Sequence, residues 1–369
     1  MRLVWFDDVQ APYREPVLCE LARRCEFRAV FLYDVEPERR MAFRPHPGYA
    51  AEVLRAWRLP RVGPLRRLDS YQAVLRPGSL RRVLDADVIV MLTWAQLASV
   101  TVALVARRRG VPYVVFSEST LDSRRVGAGP IDRVRRWFLG GAGAVVVPGP
   151  AARAAVLADG VPPERVVETV NAVDHDVFAR RPRKLRAGRD PGGEHRFVVV
   201  GQLIARKNVA VLLTALAALD GAPRLDVVGD GADADRLRAL ATELGLTDRV
   251  VFHGFLGETE VAAVLAETHT LVLPSTEEVY GFTAIEARTA GLQVVVSGSA
   301  GVAASLAGAD GVWTVTPDVE GVRAGLEAAR RAWTGWRGSV PDDAGSPART
   351  AEDLVRAAQV SSKWGHRPT

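Results

Sequence analysis

A basic turn in the second half of the chain is the first group of residues suited to chemistry. Gly201 follows a predicted strand, and Arg206 and Lys207 come just before a helical pattern that begins near position 209. A helix N-terminus presents unpaired backbone N–H groups, and the two cationic side chains add full positive charge beside it. Lysine occurs only at positions 184, 207 and 363. The turn predicts a site for an anion such as a diphosphate, with a solvated helix start as the alternative.

Two glutamates follow a later strand at a spacing that suits sugar hydroxyls. Glu278 lies in the loop after the strand, and Glu286 lies inside the helix that follows Gly281. Ligands of open α/β sheets bind at the carboxyl ends of the strands, where both carboxylates can face one crevice. A carboxylate on an apolar helix face is costly to bury without a hydrogen-bond donor, and sugar and ribose hydroxyls are such donors. An exposed helix start explains Glu278 but not Glu286.

A glycine turn, Gly229-Asp230-Gly231, is a third candidate. It joins a predicted strand to a predicted helix and lets a ligand approach the backbone closely. Ala234 stands where the dinucleotide-binding fingerprint has its last glycine, so a plain tight turn explains the pattern as well.

These turns need parallel sheets to hold them. Continuous apolar runs, typical of strands buried on both faces, alternate with helical stretches. Strands are predicted at residues 3–6, 29–32, 88–92, 113–116 and 144–147, and then at 197–200, 224–228, 250–253, 270–273, 294–296 and 312–315. The simplest architecture is α/β, with two doubly wound, Rossmann-like domains. The expected divisions are an N-terminal domain at 1–178, a Pro- and Gly-rich linker at 179–196, a C-terminal domain at 197–345, and a terminal helix and tail at 346–369.

Composition restricts the class of protein. A chain of 369 residues that is 48% hydrophobic and has only two cysteines is neither disordered nor a disulfide scaffold. No secretory signal is apparent, so a cytoplasmic location is expected. Residues 88–106 are uncharged and precede three arginines, but they fit a strand and a helix that ends at Gly110 better than a membrane span. The net charge is +5, and the positive excess lies in the first 180 residues, which favours anionic partners.

The ordered set of segments resembles the retaining GT-B glycosyltransferases of family 4, also called group 1 glycosyltransferases. The resemblance is carried by residues 171–178, 201–207, 227–231 and 249–255, and by Glu278 and Glu286 eight positions apart. Each segment is common alone, but their order and spacing are specific. The match is dense from about 171 to 320 and thin before it. It implies two Rossmann-like domains that face each other across a cleft, with the donor held by the second domain and the acceptor by the first.

The resemblance also implies roles for residues. Lys207, with Arg206, would neutralise the diphosphate of a UDP- or GDP-type sugar donor, Glu286 would hold the ribose, and Glu278 the transferred sugar. The implied binding residues are Gly201, Arg206, Lys207, Gly229, Glu278, Tyr280, Gly281, Phe282 and Glu286. Neither a metal nor any other cofactor is expected, because cations and helix dipoles can stabilise the leaving diphosphate. The acceptor hydroxyl would belong to a lipid-linked molecule, a polysaccharide or a small molecule such as a secondary metabolite.

Three departures from the family pattern concern the ends of strands. Gln202 stands where the family usually has arginine, and Glu118 stands where many members have a sugar-contacting histidine. Glu118 is therefore the candidate catalytic residue of the first domain. The candidates in the second domain are Lys207 and Glu278. Residues 7–14 replace the usual Gly-rich loop after the first strand.

Other functions stay open at this stage. A sugar-nucleotide epimerase or phosphorylase would use the same fold and donor site. A non-enzymatic alternative is binding of nucleic acid or of an anionic membrane by the arginine-rich segment 55–82, which contains Trp57. Peripheral contact with the inner face of the membrane is thus a further option. Three Asp-x-Asp pairs, which begin at residues 85, 174 and 233, suggest a metal site only weakly.

Overall fold

The chain forms two compact units in a computed structural model that describes residues 1–36, 41–59, 72–121, 123, 129–221, 223–337 and 345–364. The first unit is Met1–Ala172 with Pro347–Thr369, and the second is Val173–Ser346. Residues 60–71 of the arginine-rich segment, and residues 338–344 of the expected second domain, lie outside the described residues.

The first unit is built on a seven-stranded parallel sheet. The strands of the whole unit are β1 (Arg2–Asp7), β2 (Glu26–Phe31), β3 (Val35–Glu36), β4 (Met41–Ala42), β5 (Ala50–Val53), β6 (Ala56–Leu59), β7 (Gln72–Leu75), β8 (Val88–Met91), β9 (Tyr113–Phe116), β10 (Ala144–Pro148) and β11 (Val166–Thr169). The sheet order is β11-β10-β9-β8-β1-β2-β5, while β3/β4 and β6/β7 form antiparallel pairs. The direction of strand addition reverses between β1 and β8, which is where open α/β sheets bind ligands.

Helices cover both faces of this sheet. They are α1 (Glu15–Arg24), α2 (Pro77–Leu84), α3 (Leu97–Arg109), α4 (Pro130–Gly140) and α5 (Pro150–Ala158). Along β1, Leu3 and Trp5 join one buried apolar cluster, and Val4 and Phe6 join another. The uncharged segment 88–106 contains β8 and most of α3, which ends at Gly110 as predicted. In the part of the chain that the structure describes, no helix has the length and apolarity needed to cross a membrane.

The second unit repeats this design with six parallel strands. Its helices are α6 (Arg181–Arg186), α7 (Val209–Ala217), α8 (Ala234–Glu243), α9 (Glu258–Glu267), α10 (Phe282–Thr289), α11 (Ala303–Leu306) and α12 (Val319–Arg331). Its strands are β12 (Arg196–Val200), β13 (Arg224–Val228), β14 (Val250–Gly254), β15 (Thr270–Leu273), β16 (Gln293–Ser297) and β17 (Val312–Val315). The order is β14-β13-β12-β15-β16-β17, so the reversal lies between β12 and β15. All eleven predicted strands are present.

The expected linker at 179–196 is corrected by the structure. A π-helical turn (Asp176–Arg180) and α6 occupy part of it, and both belong to the second unit, which begins at Val173. Arg186 of α6 is buried and donates to the backbone carbonyls of Leu265, Ala266 and Ala290, at the ends of two helices. Burial lowers the pKa of Arg186 to about 9. The Pro- and Gly-rich composition of residues 179–196 predicted a linker, but these hydrogen bonds fix part of the segment in place.

The terminal helix α13 (Pro347–Trp364) completes the first unit. Asp353 accepts a hydrogen bond from the Thr169 hydroxyl at 2.8 Å, and the Ser361 hydroxyl donates to the Tyr113 carbonyl at 3.3 Å. Ala351 and Leu354 are buried in the same cluster as Trp5. The expected separate C-terminal segment is therefore part of the first domain.

Candidate active site

The reversal point of the second sheet is a narrow crevice. It is lined by Gly201 and Lys207, which follow β12, and by Pro274 and Ser275, which follow β15. The Ser275 side chain is fully buried, and its hydroxyl has no hydrogen-bond partner among the described residues. A buried, unsatisfied hydroxyl costs free energy unless a ligand or water pairs with it. The crevice thus has both a cation and an unused donor.

The position of Lys207 is set by the residue after it. A 3-10 turn (Ala205–Lys207) leads to Asn208, whose φ is +58°, the only positive value at a non-glycine residue in the described ranges. The Asn208 side-chain amide donates to the carbonyls of Pro274 at 3.1 Å and Pro317 at 2.8 Å. Asn208 therefore ties the start of α7 to the end of β15 and holds Lys207 in the crevice.

Lys207 forms an ion pair with Glu278, which the sequence placed in a separate motif. Nζ of Lys207 contacts Oε2 of Glu278, and the two side chains are only 16% and 13% exposed. The Glu278 carbonyl accepts a hydrogen bond from Gly301 at 3.1 Å, which fixes the loop that carries the carboxylate. The two predicted catalytic residues of this unit are thus in direct contact.

Glu286 lies on α10 without a polar partner among the described residues. Glu286 as a whole residue is partly exposed, but its carboxyl group is buried. Burial of the carboxyl, and to a lesser degree the negative charge of Glu258, raise the pKa of Glu286 to about 8. A carboxylate in such surroundings gains from any hydroxyl that donates to it.

Close backbone packing explains two of the predicted glycines. At Gly229 φ is +136°, and a Cβ atom there would lie 1.8 Å from the Gly201 carbonyl oxygen. At Gly281 φ is +105°, and a Cβ atom would lie 2.9 Å from a methyl group of Leu273. The first glycine lets two strand ends meet, and the second lets the Glu278 loop turn into α10.

The remaining predicted residues surround the crevice without lining it. Arg206 donates from its guanidinium to the Glu277 carbonyl at 3.3 Å, and its own carbonyl accepts from the backbone N–H of Thr276 at 2.9 Å. Tyr280 is buried, and its ring packs edge-on against Phe282 with 5.3 Å between the centroids. These contacts stabilise the loop that holds Glu278.

The first unit has a mixed charge cluster at its strand ends. Glu118, after β9, pairs with the buried Arg14 at 2.9 Å, and the Arg14 guanidinium lies 4.7 Å from the Phe116 ring centre. Asp7 ends β1, beside the reversal point. Burial raises the pKa of Asp7 to about 6, although the positive charge of Arg14 opposes the shift. The sequence predicted Glu118 as a site residue but neither Arg14 nor Asp7.

Candidate metal ligands are dispersed. Within the described ranges, no three His, Cys, Asp or Glu side chains gather as a metal ion would require. Asp85 and Asp87, the first Asp-x-Asp pair, contact Arg2 at 2.7 and 3.6 Å instead.

Two family models match the chain. Residues 181–330 match the model for glycosyl transferases group 1, and residues 10–172 match the model for a glycosyl transferase 4-like domain. The two matches correspond closely to the two structural units.

Individual proteins extend the comparison. A 2-deoxystreptamine glucosyltransferase of Streptomyces kanamyceticus is 32% identical over 263 residues, which are 65% of each chain. This chain thus spans just under two thirds of that relative. A D-inositol 3-phosphate glycosyltransferase of Catenulispora acidiphila is 30% identical over 339 residues, 83% of this chain and 81% of that one. The crystal structure of Anabaena HepE in complex with UDP matches with a TM-score of 0.70 at 19% identity, over 98% of this chain and 96% of that one. The predicted α/β GT-B fold is confirmed.

Proposed function

This chain belongs to the group 1 glycosyltransferase family, and we propose that it moves a sugar from a nucleoside diphosphate sugar to an acceptor hydroxyl, with retention of configuration and without a metal ion. The observation that carries this proposal is the Lys207–Glu278 pair at the strand reversal of the second sheet, with the unpartnered Glu286 on the helix behind it. The proposed donor is of UDP or GDP type, and UDP is the nucleotide bound by the Anabaena structural neighbour.

The reaction exchanges one bond at the anomeric carbon for another. The bond from that carbon to the diphosphate oxygen breaks, the acceptor oxygen forms the new bond on the same face, and the acceptor proton passes to the leaving diphosphate. Negative charge grows on the diphosphate as the bond breaks. Lys207 stabilises this charge most strongly in the transition state, and the Ser275 hydroxyl supplies a further hydrogen bond.

The two glutamates hold the donor by its hydroxyl groups. Glu286 accepts hydrogen bonds from the ribose, and Glu278 accepts them from the transferred sugar while it remains beside Lys207. The backbone from Tyr280 to Phe282 contacts the sugar and the phosphate. Each charge-assisted hydrogen bond contributes about 1.5–3 kcal/mol.

The acceptor is assigned to the first unit, at the strand reversal between β1 and β8. Glu118 is the proposed sugar-contacting group there, and Arg14 holds its carboxylate in position. The nearby Asp7, with its raised pKa, is suited to accept a hydrogen bond from an acceptor hydroxyl.

A panel of UDP, GDP and ADP sugars tests the proposed function. We expect one nucleotide class to raise the unfolding temperature and to be hydrolysed slowly without an acceptor. No response to any nucleoside diphosphate would contradict the proposal. Isotope exchange into the free donor, without net hydrolysis or transfer, would favour an epimerase instead.

Nucleotide binding should release a proton from Glu286. The carboxyl is mostly protonated at pH 7 in the free protein, because its pKa is about 8. Ribose hydroxyls stabilise the ionised form, so the pKa falls in the complex. Affinity for UDP should therefore rise with pH, by up to about tenfold per unit between pH 6 and 7, and level off above pH 8.

Calorimetry in buffers of different ionisation enthalpy measures this proton release. Glu286→Gln should bind UDP more weakly and keep only the pH dependence of the nucleotide's own phosphate. Glu243→Gln, an exposed change in α8, is the matched control and should behave like the parent. Equal pH dependence in the parent and in Glu286→Gln would exclude Glu286 as the titrating group.

A further inference from the structure

A basic depression of about 360 Å³ lies at the carboxyl ends of β2 and β5 in the first unit. Its apolar lining includes Leu32 and Leu54, which directly follow these two strands. Its charged lining consists of Asp34, Arg55, Arg58 and Arg76. The depression thus lies on the ligand-binding edge of the sheet, but away from the reversal point.

Among the described residues, carboxylates do not balance the positive charge of this depression. Arg58 pairs with Asp34 at 3.0 Å, and both side chains are largely exposed. Arg55 and Arg76 have no carboxylate partner among the described residues. Two guanidinium groups are therefore available to an anion.

Hydrogen bonds fix the backbone of Arg55 and Arg76. The backbone N–H of Arg55 donates to the buried Ser79 hydroxyl at 3.0 Å, and the Arg55 carbonyl accepts from the backbone N–H of Arg76 at 3.1 Å. The two residues flank the paired ends of β6 and β7, where Ala56 faces Leu75. The Arg76 guanidinium lies 5.6 Å from the centre of the Trp57 ring. Such stacking restricts the guanidinium and leaves its N–H edge for a ligand.

The distance to the reversal point suits a bifunctional acceptor. Neighbouring strands lie about 4.8 Å apart, so the depression between β2 and β5 is about 10 Å from the gap between β8 and β1. A molecule with a sugar-sized ring can reach both places. The guanidinium groups of Arg55 and Arg76 match the charge of a phosphate dianion and its geometry, because each can donate two parallel hydrogen bonds.

We propose that the depression lined by Arg55, Arg58 and Arg76 binds a phosphoryl group of the acceptor, so that the acceptor is a phosphorylated molecule. The identification of the bound molecule as a sugar acceptor rests on the proposed function, but the anion site itself does not. The phosphoryl group can belong to a soluble sugar phosphate or to a lipid headgroup, since both present the same oxygens.

Inorganic phosphate is the first probe, titrated into the full chain at low and physiological salt. We expect saturable binding, with an affinity at least tenfold weaker in the double variant Arg55→Gln/Arg76→Gln. Arg81→Gln is the matched control, because Arg81 is an exposed arginine of α2 outside the depression. Lys207→Ala separates this site from the donor site. It should leave the arginine-dependent phosphate binding intact, while UDP binding should be unchanged in the double variant.

Vesicles of zwitterionic lipid with and without phosphatidylglycerol are the second probe. Binding of free phosphate without vesicle binding indicates a soluble phosphorylated acceptor, whereas vesicle binding that the double variant loses indicates a lipid headgroup. The proposal is overturned if neither probe binds, or if Arg81→Gln weakens binding as much as the double variant does. Because UDP binding is measured in the same variants, failure of the anion site is distinguishable from failure of the glycosyltransferase assignment.

Discussion

Lys207→Ala should lose about a hundredfold or more in turnover at saturating donor, with a much smaller change in donor affinity. The ammonium group is held in the crevice between β12 and β15 and is only 16% exposed, so water screens its charge poorly. Charge on the diphosphate grows as the sugar leaves, and a fixed cation therefore stabilises the transition state more than the bound donor. A hundredfold loss corresponds to about 2.7 kcal/mol.

Initial rates over a range of donor concentrations separate turnover from affinity. Lys184→Ala removes one of the two other lysines, on the exposed side of α6, and should retain the parent's rates. Because Lys207→Ala leaves Glu278 without its ion-pair partner, Lys207→Gln serves as a second variant that can still donate a hydrogen bond to the carboxylate. Full turnover in both Lys207 variants would make Arg206 the better candidate for the leaving-group cation, and Arg206→Ala would then test it.

The sequence alone predicted some of the residues that gather at the crevice of the second sheet. Gly201, Lys207 and Glu278 all follow strands, and the carboxyl ends of neighbouring parallel strands meet at one edge of a sheet. The spacing did not predict that Lys207 and Glu278 would contact each other. Their contact depends on the strand order, which places β12 beside β15 although two strands intervene in the sequence.

Features that depend on tertiary contacts could not be predicted in this way. Asn208 has no motif of its own, and its role follows from its positive φ and from two carbonyls that lie far along the chain. No sequence pattern marks Ser275 as a site residue. Only the structure shows that its hydroxyl is buried without a hydrogen-bond partner among the described residues. Arg186 likewise looked like part of a basic linker. Its role could not be predicted, because its three carbonyl partners come from helices about 80 and 100 positions away.

The edge strands β5 and β11 were also missed. Both are only four residues long, and both contain a glutamate, so they lack the continuous apolar run that marked the central strands. An edge strand has only one neighbour and can tolerate such residues. The arginine depression lies beside β5, and its three arginines belong to segment 55–82, which the sequence singled out as a possible surface for nucleic acid or an anionic membrane.

Gly229→Ala should damage the donor crevice through the backbone alone. A Cβ atom at this position would lie 1.8 Å from the carbonyl oxygen of Gly201 and 2.8 Å from its carbonyl carbon. The strand ends must separate, and alanine must also adopt a φ of +136° that L residues rarely accept. Overpacking and backbone strain together should destabilise the second unit by about 3–5 kcal/mol.

Thermal unfolding and UDP titration measure the two consequences. A lower unfolding temperature should accompany weaker UDP binding, because a displaced Gly201 moves the turn that holds Lys207. Gly140→Ala is the matched control, since Gly140 is at the end of α4 with open space around it and should change stability by about 1 kcal/mol at most. Unchanged stability and unchanged UDP affinity in Gly229→Ala would show that the two strand ends do not approach as closely as the structure places them, and the crevice that holds Lys207 would then have to be wider than described.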